Sequence, residues 1–408
     1  MLRSWPLVSA NNEDRAESDL YRVAEKQLRG IRTMQQLRST LQKNRGATDK
    51  LGTTITRVLG CKVESADVEY DIRSTNFLAE EHGAIIFRNF VPRRVDQLAL
   101  VALALRPLNI DYAVTDILDK RSANNGSDEH ASKSQRKLQR KQIEKVKAQL
   151  TTPSDASIIQ QTNFGPQMQA YTQQASEESG SALKKRKIDS FPLSKLRYLN
   201  LGAFNYNWGD RRYELISGAM ALHPRLKALA QHAIAMSIQK RGGCDKDLQI
   251  DFNMAICNFY HLLRPSDRLG GHQDNVESNL SLPLVTISLG APGVFLLGRE
   301  SREEFPFAIL LQTGDCMVLS GKSRGYFHGV PTILEYDDDD NNDAVVVNDS
   351  EESAMSSQFN LLFPELSDEG LLVSGEGTMI DSLPSQVELK FAAAFLSSVR
   401  MNMSIRQV

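Results

Sequence analysis

Near the end of the chain, Arg400, Asn402, Ser404 and Arg406 alternate with Met401, Met403, Ile405 and Gln407. Only an extended strand sorts such a period-two pattern into two faces, one polar and one largely apolar. The pattern therefore predicts a strand whose polar face lines one wall with donors. Two guanidinium forks on one face suit a small dicarboxylate, because arginine binds carboxylates bidentately. Taken alone, Arg400 and Arg406 read as surface charges on a terminal strand.

A second polar motif lies upstream in His272-Gln273-Asp274, where the i, i+2 spacing sets an imidazole and a carboxylate on one side of a strand or tight turn. One further histidine would complete the two-histidine, one-carboxylate face of non-haem Fe(II) oxygenases, which keep other coordination positions open. A His-x-Asp pair is weak evidence by itself. Its position strengthens it, because His328 follows in Gly314–Pro331, where a turn, a short apolar strand and a Gly/Ser bend lead to a histidine in a second strand. Between the ligand candidates, residues 282–290 and 294–298 are apolar and β-branched runs bounded by Gly and Pro. Such runs are expected of sandwich strands rather than helices. Residues 252–260 read as another strand, with Asn258 and Tyr260 on one face. Jelly-roll barrels built from such strands hold ligands in their mouths. His328 could equally be a packed imidazole, and Asn258 and Tyr260 satisfied core polars.

The order Asn258-x-Tyr260, His272-x-Asp274, Ser320-Gly321-x-Ser323-Arg324, His328 and Arg400-x-Asn402-x-Ser404-x-Arg406 resembles the AlkB dioxygenases, of the eukaryotic homologue-1 type. The likeness covers roughly residues 190–335 and 390–408, with a fainter echo at 80–110. The resemblance implies an α+β fold, with a double-stranded β-helix (jelly-roll) core, N-terminal helices and disordered insertions. It implies that His272, Asp274 and His328 hold Fe(II), and that Arg400, helped by Tyr260, binds the distal carboxylate of the co-substrate 2-oxoglutarate. Asn258, Asn402 and Arg406 would lie near the end that chelates iron. The family usually has Thr where this chain has Ser404, which keeps the hydroxyl. The implied reaction uses dioxygen as second co-substrate and hydroxylates an N-methyl group on a nucleobase of RNA (tRNA) or DNA. Formaldehyde, succinate and carbon dioxide would be released. A base inside a duplex would have to be flipped out to react, unless the substrate is single-stranded or looped.

Residues 195–213 would face the substrate, interleaving aromatics with Arg197, Arg211 and Arg212, a combination that stacks on bases and neutralises phosphates. Tyr206 and Trp208 are the base-stacking candidates. Tyr198, Phe204 and Tyr206 also read as core residues of a hairpin, a reading that suits two of the three. Two other functions stay open: a protein-directed oxygenase, for example on histone tails, and a catalytically inactive nucleic-acid-binding module. The intact triad and paired arginines disfavour the module, and the aromatic-basic segment favours nucleic acid over protein.

The chain of 408 residues carries a net charge of −2 and is 41% hydrophobic, enough for a core, with no apolar run of membrane-spanning length. The four cysteines form no CxxC or framework pattern, and Cys257 and Cys316 in strand-like runs are expected to be buried free thiols of a reducing compartment. The expected organisation is an N-terminal helical, partly disordered extension over 1–75 and the first part of the catalytic domain over 76–120. A basic, polar linker over 121–190 and the dioxygenase core over 191–408 follow, with an acidic insertion at about 337–357. Within the linker, the basic residues from Lys133 to Lys147 suit a nucleic-acid-contacting arm and Lys184-Lys185-Arg186-Lys187 a nuclear-localisation signal. A solvated linker with incidental charge is the competing reading. Residues 14–45 look helical and charged, and 95–106 form a packed helix. Acidic residues from Glu13 onward argue against a secretory signal. A monomer in the nucleus or cytoplasm is expected, with the mitochondrion as an alternative.

Overall fold

The computed structural model describes residues 19–46, 53–108, 196–207, 210–216, 221–242, 250–264, 266–335 and 383–408. Of the segment between 108 and 196 it adds only the backbone pairing of Thr151–Thr152 with Phe191–Pro192. The basic linker, its arm and the acidic insertion otherwise lie outside the described residues.

Helices α1 (Leu20–Leu28), α2 (Met34–Arg45) and α3 (Ala66–Phe77) come first. Within the stretch 14–45 expected to be helical, residues 14–18 lie outside the described residues and the rest forms two helices, separated where Gly30 takes a left-handed φ of 85° after α1. Asp19 and Thr33 then cap the two N-termini with side-chain oxygens. The packed helix expected at 95–106 is α4 (Arg94–Leu105). Helix α5 spans Pro224–Lys240, and α6 spans Gln386–Leu396 behind a Ser385/Glu388 capping box.

Strands β1 (Ala84–Phe87), β2 (Tyr198–Gly202), β3 (Phe204–Asn207) and β4 (Arg212–Leu215) precede α5. After it come β5 (Met254–His261), β6 (Leu269–His272), β7 (Leu284–Gly290), β8 (Gly293–Leu297), β9 (Phe307–Leu311), β10 (Cys316–Leu319), β11 (His328–Ile333) and β12 (Val399–Arg406). Six of them form an antiparallel sheet in the order β1-β10-β7-β12-β5-β2, four a second antiparallel sheet in the order β9-β8-β11-β6, and β3 pairs with β4 as a hairpin. Tyr198 thus sits on a strand of the large sheet, and only Phe204 and Tyr206 belong to the hairpin.

Period-two alternation decides the layering. On β12, Met401, Met403 and Ile405 join Cys257 and Phe259 of β5 and Val285, Ile287 and Leu289 of β7 in a core under α4, α5 and α6. The opposite faces meet between the sheets, where Leu284, Met317 and Leu319 pack with Phe295, Leu297, Ile309 and Val330. Outside the small sheet, Val294, Leu296, Ala308 and Leu310 are covered by Tyr21, Ala24 and Leu28 of α1 and Leu37 and Leu41 of α2. Helices therefore close both outer faces, and the polar side of β12 is left pointing between the sheets. None of the described helices is long and apolar enough to cross a membrane.

Candidate metal centre and co-substrate cavity

His272 ends β6 and His328 begins β11, and the two are paired directly across the strands. Their rings lie 4.4 Å apart, centroid to centroid. Asp274, two residues beyond β6, sets Oδ1 3.6 Å from Nε2 of His272 and Oδ2 3.7 Å from Nε2 of His328. One ligand atom from each residue lies within 4.8 Å of the others, so the three converge on a point that one ion can occupy.

The tautomers suit a metal. Nδ1 of His272 is 3.0 Å from the Gly270 carbonyl and Nδ1 of His328 is 3.0 Å from the Tyr326 carbonyl. A carbonyl only accepts, so each Nδ1 carries the proton and each Nε2 offers a lone pair. Burial, helped by the neighbouring His272, lowers the pKa of His328 to about 4, which keeps that ring neutral. Burial alone would raise the pKa of Asp274, but Arg406, with His328, His272 and Arg324, outweighs it and holds the carboxyl well below the usual range.

Arg406 stands 3.1 Å from Asp274 Oδ2 and 2.6 Å from Glu277 Oε1. Its Nη1 also donates to the Tyr213 hydroxyl at 3.1 Å, and that hydroxyl donates to Glu277 at 2.7 Å. Arg324 closes the group: Nη2 is 3.0 Å from Glu277 Oε2, and Nη1 donates to the Asp274 carbonyl at 2.7 Å. Two carboxylates thus face two guanidiniums in a buried cluster. Desolvation of this size is tolerable only when each charge is paired.

A small cavity lies between the sheets beside the triad. Its walls include Asn258, Thr286, Asn402, Ser404 and Arg406, together with His272, Asp274 and His328. Oγ1 of Thr286 and Oγ of Ser404 share a hydrogen bond of 3.1 Å in that wall. Among the expected co-substrate residues, Asn258, Asn402 and Arg406 therefore line the cavity with the triad. Arg400 and Tyr260 lie deeper and are paired across β12 and β5. Arg400 is 1% exposed; its Nη1 donates to the Ala291 and Leu311 carbonyls and its Nη2 to Ser288 Oγ. On the polar β12–β5 face, the Tyr260 hydroxyl and Nε of Arg406 are buried without a hydrogen-bond partner. They belong to opposite ends of the polar β12–β5 face, so a molecule with a carboxylate at each end fits the donors left over.

Of the expected substrate contacts, Tyr206 lies on the hairpin 4.9 Å from the Tyr213 ring, and Trp208 falls outside the described residues. Arg211, in a left-handed turn with φ 51°, donates to Asn275, next to Asp274. Arg212 is occupied by Glu214 and Asp210 of its own hairpin. The reading of the sequence gave Glu277 no role. Its partners Tyr213, Arg324 and Arg406 come from three distant parts of the chain, and no local spacing signals such a meeting. Arg324 stands in the motif order, but its pairing with Glu277 is set only by the fold.

The model of the 2OG-Fe(II) oxygenase superfamily matches residues 155–406, more than half of the chain. The tRNA demethylase abh1 of Schizosaccharomyces pombe is 33% identical over 147 residues, 36% of this chain and 45% of that protein. The DNA N(6)-methyladenine demethylase ALKBH1A of Arabidopsis thaliana is 33% identical over 142 residues, 35% and 38% respectively. The nucleic acid dioxygenase ALKBH1 of Mus musculus is 28% identical over 242 residues, 58% of this chain and 53% of that protein. The chain thus spans about half or less of the length of these relatives. It belongs to the 2OG-Fe(II) oxygenase superfamily, with AlkB proteins of the homologue-1 type among its relatives.

Proposed function

We propose that the protein is an Fe(II)- and 2-oxoglutarate-dependent oxidative demethylase of methylated nucleobases in RNA or DNA. The observation that carries this reading is the meeting of the His272, Asp274 and His328 ligand atoms at the wall of the same cavity that Asn258, Asn402, Ser404 and Arg406 line. We read the two facing sheets as the halves of a double-stranded β-helix, within an oxygenase core over 191–408.

His272 and His328 present Nε2 atoms and Asp274 a carboxylate, the donor set of a non-haem iron face with open positions. Bound iron, with dioxygen and 2-oxoglutarate, supplies the oxidation of the methyl C–H bond, at the expense of decarboxylating 2-oxoglutarate to succinate. The chain's own residues bind and orient. Arg406, already beside Asp274, offers Nε to the carboxylate nearest the metal. Tyr260 and Arg400 offer a hydroxyl and a guanidinium to the far carboxylate, and Asn258 and Asn402 supply amides between them. The aliphatic walls Ile256, Leu269, Leu284 and Val330 keep bulk water from the reacting end. A methylated base would enter beside the hairpin, with Tyr206 and Trp208 as stacking surfaces and Arg211 and Arg212 toward the phosphates. Relatives named for acting on tRNA and on DNA support a nucleic-acid substrate.

The test is formaldehyde release by the full chain with Fe(II), ascorbate and 2-oxoglutarate, compared across methylated tRNA, methylated DNA oligonucleotides and methylated histone peptides. Release from a nucleic acid, abolished by Asp274→Ala, is expected. Turnover on the peptides alone would establish a protein-directed oxygenase. Absence of turnover on all three, with tight nucleic-acid binding, would establish a binding module.

A further inference from the structure

The strand carrying the first metal ligand is an edge strand. β6 closes the small sheet and pairs with β11 on one side only. An edge strand leaves backbone groups without a ladder partner, and here they meet side chains from outside the sheet. The N–H of Gly271, the residue before His272, donates to Glu25 Oε1 at 2.6 Å. Its carbonyl accepts from Arg302 Nη1 at 3.1 Å. Glu25 belongs to α1 and is 5% exposed, with its other oxygen 3.8 Å from Arg29. Arg302 is tied to the same helix, donating from Nε to Asp19 at 2.9 Å and accepting at its carbonyl from the N–H of Tyr21.

Tyr21 fills the space that two glycines leave. A Cβ on Gly271 would lie 2.3 Å from the Tyr21 ring and one on Gly298 2.8 Å from it. The Tyr21 hydroxyl donates to the Leu296 carbonyl at 3.3 Å, and its ring lies 6.2 Å from that of Phe327, the residue before His328. The guanidinium of Arg302 lies over both rings. The residues preceding the two histidines are therefore held by one helix, and that helix lies outside the family-matched residues 155–406.

We infer that α1 is a positioning element of the metal centre, with Glu25 fixing the strand that presents His272 and Tyr21 packing against the approaches to both histidines. The inference rests on the reading of His272, Asp274 and His328 as metal ligands. Groups that orient ligands without touching the ion typically change metal affinity by about 10–100-fold when removed.

The experiment titrates the metal-free full chain with Co(II), follows the visible absorption of the bound ion, and records circular dichroism and thermal unfolding alongside. Glu25→Ala is expected to bind Co(II) about tenfold more weakly than wild type. Glu25→Gln, whose amide oxygen can still accept from Gly271, is expected to restore most of that loss. Tyr21→Leu, which keeps an apolar group in the outer core, should weaken binding in the same direction and serves if Glu25→Ala does not fold. Folded Glu25→Ala or Tyr21→Leu protein with wild-type Co(II) affinity and only a lower melting temperature would overturn the inference, because α1 would then act on stability alone. Failure of wild-type protein to bind Co(II) would instead remove the metal reading itself. Asp274→Ala gives the baseline for a lost site.

Discussion

The guanidinium of Arg406 lies 3.1 Å from Oδ2 of Asp274, so a residue of the last strand compensates the charge of a candidate metal ligand that follows β6. The same side chain reaches Glu277 and Tyr213, and its removal would leave the buried Glu277 carboxylate with Arg324 as its remaining cation and take the guanidinium from Asp274. Breaking a buried pair by deleting one partner costs about 3–5 kcal/mol. Arg406→Ala is expected to lower stability in urea unfolding by about that amount and to abolish 2-oxoglutarate turnover.

Glu277 gives a pH signature. Burial would raise the pKa of its carboxyl, but Arg406 and Arg324 outweigh burial and hold it below the ordinary value. A depressed folded pKa contributes stability that is present above the unfolded pKa, about 4.3, and is lost as pH falls through the folded value. Glu277→Gln should therefore cost stability at pH 7 and progressively less in acid. Urea unfolding of both proteins between pH 7 and pH 3 checks this, and a constant difference would count against it.

Tyr260 separates ligand binding from folding. Its buried hydroxyl has no partner, so Tyr260→Phe removes an unsatisfied group and should leave stability unchanged or raise it by up to about 1 kcal/mol. A hydrogen bond to a carboxylate is worth about 1.5–3 kcal/mol, so the 2-oxoglutarate requirement should rise about tenfold or more. Arg400→Ala should raise that requirement too and leave metal binding nearly unchanged. It should also destabilise the fold, because the guanidinium holds two carbonyls and Ser288. A Tyr260→Phe protein with wild-type affinity for 2-oxoglutarate would argue against a co-substrate carboxylate at this end.

The thiols of Cys61, Cys257 and Cys316 should be inert in the native protein. All three are buried; burial pushes the pKa of Cys61 up to about 11 and raises those of Cys257 and Cys316 well above the ordinary thiol value. The thiolate is the reactive form. Alkylation with peptide mapping should label these three only after unfolding.

Much of the centre was legible because it is written in local periods. His272 and Asp274 share a side at i, i+2, and the alternation from Arg400 to Arg406 fixes a polar and an apolar face on one strand. The strands at 252–260, 282–290 and 294–298 announced themselves through β-branched runs bounded by Gly and Pro, and the structure has strands there. Helix was legible over Leu20–Leu28 and Met34–Arg45, but the break between them was not, since it turns on the backbone sign of one glycine.

The candidate donor set, the two faces of β12 and the apolar strands on which they stand can be read from residue spacing, because side-chain direction follows from spacing once a strand forms. Which polar groups meet depends on how the strands are brought together in space. The pairing of His272 with His328, the burial of Arg400 beneath Ser288, the Glu277–Arg324–Arg406–Tyr213 cluster and the grip of Glu25 on Gly271 all join residues far apart in the chain. Such contacts are set by sheet order and register, which bring whole strands together, and no local pattern encodes them.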